Sequence, residues 1–254
     1  MDALSITELK RINLKDATII DGFPSVGLVS SIVANYIVNS LELEQVGILD
    51  SIYFPSVALV RKAEPLSTVR IYAGEKRTGS DPADQIVVFI SEFQPPNNLI
   101  KVISKTILDW IQEQKCKQLI CPEGLVIERE TPKDEKEPLE VYGISSTERG
   151  RAMLEKNGVT LFQEGVITGI AGVFLTEGKM RDFDVLGLLA EAHPNFPDAR
   201  AAATVLEIMG KILLGVNLDP KPLYQEAETI EAQLKVIQKQ TSTMKQIPLP
   251  HMYG

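Results

Sequence analysis

At 254 residues the chain fits one large α/β core with an appendage, and its 44% hydrophobic and 24% charged residues supply that core without help from a metal or disulfide. A formal charge of −8 with no basic stripe excludes a nucleic-acid backbone as partner, because phosphate binding needs Lys and Arg clustered on one face. Residues 1–15 lack an apolar run of signal-peptide length, and no segment reaches the roughly 18 apolar residues of a membrane span, so a cytoplasmic protein with no membrane partner is expected.

In chain order, Ala17 to Ile20 is a short β-type run that stops at Asp21-Gly22-Phe23-Pro24, and Val26 to Leu41 reads as an apolar helix capped by Ser25. Gln45 to Asp50, Ser56 to Arg61 and Thr68 to Ala73 are strand-like, broken into a meander by Pro55 and Glu64-Pro65. Gln85 to Ser91 has the continuous apolar character of a strand buried on both faces. Asn98 to Gln114 places Leu99, Val102, Ile103, Thr106, Ile107 and Trp110 at helical spacing, and Gln118 to Cys121 follows as another buried strand, completing a βαβ unit. Cys116 and Cys121, with no paired framework around them, read as buried reduced thiols.

Glu128 to Pro138 is a charge-dense segment with two prolines and reads as a solvated loop. Val141 to Ser145 is a strand, Thr147 to Lys156 a helix ended by Asn157-Gly158, Gly165 to Thr176 a buried helix, Phe183 to Ala190 the last central strand, and Asp198 to Leu214 the helix that covers it. The alternation predicts a three-layer α/β/α sandwich with a mixed or mostly parallel sheet for the body, residues 1–220. The appendage, residues 221–254, holds a helix from Leu223 to Gln240 with an apolar seam of Ala227, Ile230, Leu234 and Ile237, then a proline-stiffened lead into the tail. From Ile247 the chain could reach about 25 Å if extended. Met252, Tyr253 and Gly254 then combine an apolar side chain, a phenol and a carboxylate, the parts of a plug for a partner's pocket with a lysine beside it.

Catalytic signatures are sparse. The turn Gly22-Phe23-Pro24-Ser25-Val26-Gly27-Leu28-Val29 has two glycines five apart where a strand meets a helix, but Leu28 and Val29 stand where a phosphate loop needs Lys and Ser or Thr. Gly22, Phe23, Pro24 and Gly27 read as a tight turn with close helix packing; the alternative is a ligand turn with a weak anion site at the helix N-terminus. His193, in Glu191-Ala192-His193-Pro194, has no G-x-S-x-G nucleophile elbow to pair with and reads as a loop histidine. Neither cysteine shares metal-ligand spacing with a histidine, so no metal and no cofactor are expected. Glu92, Glu123, Glu164 and Glu191 fall near element ends, and Glu92 and Glu123 would face the crevice where open α/β sheets bind ligands.

The ordered segments Gly22 to Val29, Gly165 to Leu175, Leu188 to Ala192 and Pro197 to Leu206 resemble the proteasome assembly chaperone family in its archaeal homologue branch, and the resemblance covers about residues 15 to 240. It implies a nucleoside-phosphorylase-like α/β fold without that enzyme's catalytic residues, and homo-oligomers, tetrameric or pentameric. It also implies that a hydrophobic-Tyr-any triplet inserts between neighbouring α-subunits of the proteasome ring. Met252 is the hydrophobic position, Tyr253 the tyrosine and Gly254 the bearer of the carboxylate; Met is less common there than Leu, Ile or Val, but its flexible apolar side chain should fit. The expected function is thus that of a non-enzymatic proteasome-binding protein, an assembly chaperone or activator. The rival expectation is a nucleotide- or small-molecule-binding enzyme using the Gly22 to Gly27 turn and the strand-end glutamates, since the family was earlier associated by name with ATP-dependent carboligases.

Overall fold

A computed structural model describes residues 4–75, 85–126, 139–213 and 218–225 of the chain. Eleven strands and five α-helices alternate along these residues. The predicted loop from Glu128 to Pro138, the predicted terminal helix beyond residue 225, and the tail with Met252, Tyr253 and Gly254 lie outside the described residues.

Nine strands form one sheet. In chain order they are β1 (Leu4–Glu8), β2 (Thr18–Gly22), β3 (Glu44–Ser51), β6 (Val69–Glu75), β7 (Gln85–Ser91), β8 (Gln118–Leu125), β9 (Val141–Ser145), β10 (Thr160–Leu161) and β11 (Val185–Glu191). Their spatial order is β1-β3-β6-β7-β2-β8-β11-β9-β10. The four central strands β7, β2, β8 and β11 run parallel, while β1, β3 and β6 extend one side as an antiparallel meander. On the other side β9 runs antiparallel to β11 and β10 parallel to β9. β4 (Leu59–Arg61) and β5 (Glu64–Leu66) pair only with each other, as a small separate hairpin.

The parallel strands are apolar on both faces because both faces are covered. On β7, Ile86, Val88 and Ile90 point to one helical layer, while Val87 and Phe89 point to the other. The first layer is α1 (Val29–Ser40) and α5 (Ala199–Ile212), with α3 (Glu148–Lys156) toward the β9 edge; Val33, Ala34 and Ile37 meet Ala202, Val205 and Leu206 there. Opposite, α2 (Asn97–Glu113) and α4 (Gly169–Met180) pack Ile103, Ile107 and Phe174 over Ile19, Phe89 and Leu119. This is the expected three-layer sandwich. Residues 218–225 lie on the first layer, where Leu218 and Leu223 are buried and the Tyr224 hydroxyl donates to Glu207 at 3.0 Å.

Several elements depart from the sequence expectation. The helix predicted from Val26 begins as a 3₁₀ turn, Val26–Leu28, and α1 proper starts at Val29, because Gly27 and Leu28 both take left-handed backbone angles (φ +61° and +52°) that kink the entry. The Ser25 hydroxyl accordingly accepts from the Ser30 amide at 3.0 Å. The strand predicted at Ser56 to Arg61 is confined to Leu59–Arg61, and Glu64-Pro65, expected to break the meander, is itself in β5. The helix predicted from Gly165 begins only at Gly169 and runs to Met180. β8 continues past Cys121 to Leu125, and β1 and β10 were not foreseen at all.

Candidate functional site

α1 leaves β2 toward one face of the sheet, and α2 leaves the neighbouring parallel strand β7 toward the other, so the chain parts at the carboxyl ends of the central strands. A cleft of about 720 Å³ occupies this end of the sheet. Its floor is Asp21 of β2, Glu123 of β8 and Leu189 of β11. One wall is the Phe23–Leu28 turn; the others are residues 166–170 before and at the start of α4, and the Pro194–Pro197 loop.

Parallel pairing of Thr18 with Gln118, Ile19 with Leu119 and Ile20 with Ile120 sets the register that places Asp21, Cys121 and Glu123 on one face. Leu189 is the register partner of Glu123 on the far side. Asp21 is only 2% exposed. Its Oδ1 accepts from the Phe23 amide at 3.0 Å, its carbonyl accepts from the Ser30 hydroxyl at 2.8 Å, and its Oδ2 has no hydrogen-bond partner. Burial pushes the Asp21 carboxyl up to about 7, opposed in part by the Phe23 amide and the Cys121 thiol. Glu123, which opens into the cleft, is likewise held well above the ordinary carboxylate range, by desolvation first and then by the Asp21 charge. Burial also pushes the Cys121 thiol well up, with both carboxyls adding to it, so it is an inert thiol.

The turn over this floor is held from two sides. The Gly27 carbonyl accepts from the Asp198 amide at 2.8 Å, and Gly27 takes a left-handed φ that strains any other residue, whose β-carbon would also crowd the His193 carbonyl oxygen at 3.0 Å. Asp198 then gathers the following loop. Its Oδ1 caps α5 by accepting from the Ala201 amide at 2.9 Å, and its Oδ2 receives the His193 amide at 3.0 Å and lies 2.8 Å from His193 Nδ1. The His193 ring stacks on Phe196 at 4.6 Å. His193 is thus a loop histidine bound to a capping aspartate, as its sequence setting suggested.

Of the residues singled out in the sequence, Phe23, Pro24, Gly27 and Glu123 line the cleft. Gly22 does not; a β-carbon there would stand 2.3 Å from the Phe89 carbonyl and 2.5 Å from the Ala34 β-carbon, so its service is close packing of α1 against β7. Glu92 is not at the cleft either, contrary to expectation: it pairs with the buried Arg70 guanidinium and, at 3.3 Å, with Arg61. Glu164 is exposed and Glu191 is half-buried at the end of β11, and neither lines the cleft. Sequence reading missed Asp21, which looked like a turn residue; its one signal was a carboxylate at the carboxyl end of a strand followed by a glycine. Among the described residues that line the cleft there is no Lys, Arg or His to hold a phosphate, and no group of three or more His, Cys, Asp or Glu among the described residues could hold a metal ion. No helix among the described residues is long and apolar enough to cross a membrane.

Residues 19–238 match the model of the PAC2 family. An uncharacterized protein of Methanocaldococcus jannaschii is 31% identical over 246 residues, 94% of this chain and 93% of that one. The crystal structure of Pyrococcus furiosus PbaA, an archaeal homolog of proteasome-assembly chaperone, superposes with a TM-score of 0.76 at 29% identity, covering 96% of this chain and 100% of PbaA. Pyrococcus furiosus PbaB, an archaeal proteasome activator, has the same fold at a TM-score of 0.79 and 24% identity, covering 94% of this chain and 100% of PbaB.

Proposed function

This chain belongs to the PAC2 family, the family of proteasome assembly chaperones, and from that premise we propose that it is a non-enzymatic proteasome-binding protein, an assembly chaperone or activator. The observation that carries the reading is its likeness to PbaA over 96% of the chain at 29% identity. The α/β body, residues 1–220, would serve as a platform and the appendage, residues 221–254, as the arm that reaches the partner. Met252, Tyr253 and Gly254 dock between neighbouring α-ring subunits: the Met side chain fills an apolar recess, the Tyr ring adds area and a hydrogen bond, and the carboxylate meets a lysine. One such tail binds weakly. Several tails on a homo-oligomer, a tetramer or pentamer, raise the effective concentration of each for its pocket, so avidity supplies the working affinity.

The test is a pull-down of α-ring and of whole proteasome with the intact chain, with a chain ending at His251, and with Tyr253→Ala. A pocket-filling aromatic at a hot spot contributes about 2 kcal/mol or more per site, so both altered chains should lose co-purification while remaining oligomeric by light scattering. Binding retained by both would move the interface to the body and remove the tail from the mechanism.

A further inference from the structure

We infer that the cleft over β2, β8 and β11 is a binding site for a small organic cation, an amine or amidine on an apolar body, whose charge is met by Asp21 and Glu123. The proteasome reading makes no use of this cleft, and the inference stands apart from it.

The floor is built for a charge that the protein does not provide. Asp21 lines the cleft at only 2% exposure, and its buried Oδ2 has no hydrogen-bond partner. A native fold seldom leaves such an atom unpaired, since an unsatisfied buried polar group keeps its full desolvation penalty. Glu123 stands beside it on the adjacent strand. Two carboxyls and no Lys, Arg or His among the described lining residues offer the phosphates of a nucleotide no countercharge. A cation serves both groups at once: it supplies the missing partner for Oδ2 and lets a carboxyl ionise without being left as an uncompensated buried charge.

The walls select the rest of the ligand. Phe23 and Phe196 line the cleft, and Leu28, Val126 and Val166 are exposed apolar side chains at the rim. Val166 is 83% exposed. An apolar body about the size of a substituted benzene ring fits such walls and fills only part of the 720 Å³.

Proton bookkeeping follows from the same geometry. The titratable groups facing Asp21 are Cys121 and Glu123, both on β8; the segment after β7, the strand β11 and the start of α4 bring Gln94, Leu189 and Thr168, none of which titrates. Burial holds the Asp21 proton up to about pH 7 and shifts Glu123 in the same direction. When the cation enters, each carboxyl that pairs with it ionises and its proton passes to solvent, so binding tightens as pH rises.

Isothermal titration calorimetry with benzamidine at pH 6, 7 and 8, in buffers of different ionisation enthalpy, tests the site. Affinity is expected to rise below pH 7 by up to about tenfold per pH unit for each proton released. Benzamide, the neutral analogue, and inorganic phosphate should give no heat. The near-isosteric Asp21→Asn and Glu123→Gln variants should each weaken benzamidine at least tenfold, with near-UV circular dichroism confirming an intact fold; should either variant misfold, the pH series and the benzamide comparison on the unaltered chain still decide. No binding of benzamidine at millimolar concentration, equal affinity for benzamide, binding of phosphate, or affinity unchanged in both folded variants would overturn the assignment.

Discussion

Gly124 on β8 lies directly beneath Val26: a β-carbon at residue 124 would stand 2.1 Å from the Val26 carbonyl oxygen and 3.1 Å from the Ala192 β-carbon. The turn that walls the cleft is therefore seated directly on the strand that carries Glu123.

Gly124→Ala is expected to displace the Val26–Leu28 turn and cost about 1–3 kcal/mol, the usual scale of overpacking against a backbone that must shift. Gly210→Ala is the matched control. Nothing lies within 4 Å of a β-carbon at Gly210, which is inside α5, so that substitution should stabilise by up to about 1 kcal/mol through helix propensity. Urea denaturation of both variants measures the difference.

The Arg70 side chain is fully buried and pairs with Glu92, with further hydrogen bonds to the Ser67 carbonyl at 2.7 Å and the Tyr72 hydroxyl at 3.0 Å. Glu92→Ala should destabilise by about 3–5 kcal/mol, because it strands a buried guanidinium. Arg70→Met removes the charge while keeping bulk, and Glu92 retains Arg61 at 3.3 Å, so this change should cost less. A reversed order in thermal denaturation would refute the ion-pair account.

Asp198→Ala removes the α5 cap and both links to His193. A loss of about 1–2 kcal/mol is expected from the cap. His193→Ala, at a largely exposed side chain, should cost clearly less. Hydrogen exchange at the first turn of α5 should accelerate in the first variant and not in the second.

Asp21 also gives stability a pH dependence. The folded state holds the proton up to about 7, whereas the ordinary carboxylate loses it near 3.8, so the folded chain binds more protons across that window and its stability falls as pH rises from about 4 to about 7. Glu123, raised for the same reasons, adds to the fall. Asp21→Asn should flatten the slope and, at pH 8, gain up to about 4 kcal/mol relative to its effect at pH 4. Chemical denaturation at both pH values reads this directly; parallel curves for the two proteins would show that Asp21 is not the group responsible.

Much of the fold was legible because it is locally encoded. The five consecutive apolar residues Ile86 to Ile90 can satisfy only a strand covered on both sides, and the spacing of Leu99, Ile103, Ile107 and Trp110 can bury one stripe only as a helix. The helix read from Asp198 to Leu214 is α5, Ala199–Ile212, with Asp198 as its cap. The triplet Met252-Tyr253-Gly254, which carries the proposed docking, is likewise a matter of sequence.

The cleft was another matter. Pro122 and Gly124 argue against a central strand, and local rules therefore ended β8 at Cys121. The strand continues because pairing with β2 stops at Ile120, so the amide missing from Pro122 is not needed there, while β11 keeps its register from Val185 to Glu191. That continuation brings Glu123 beside Asp21, more than 100 positions earlier in the chain. Residue type and spacing determined the layers, the helix ends and the tail. Tertiary structure decided which carboxyls meet, because that depends on strand order and register, and on the burial they impose, none of which is written in any short stretch of the chain.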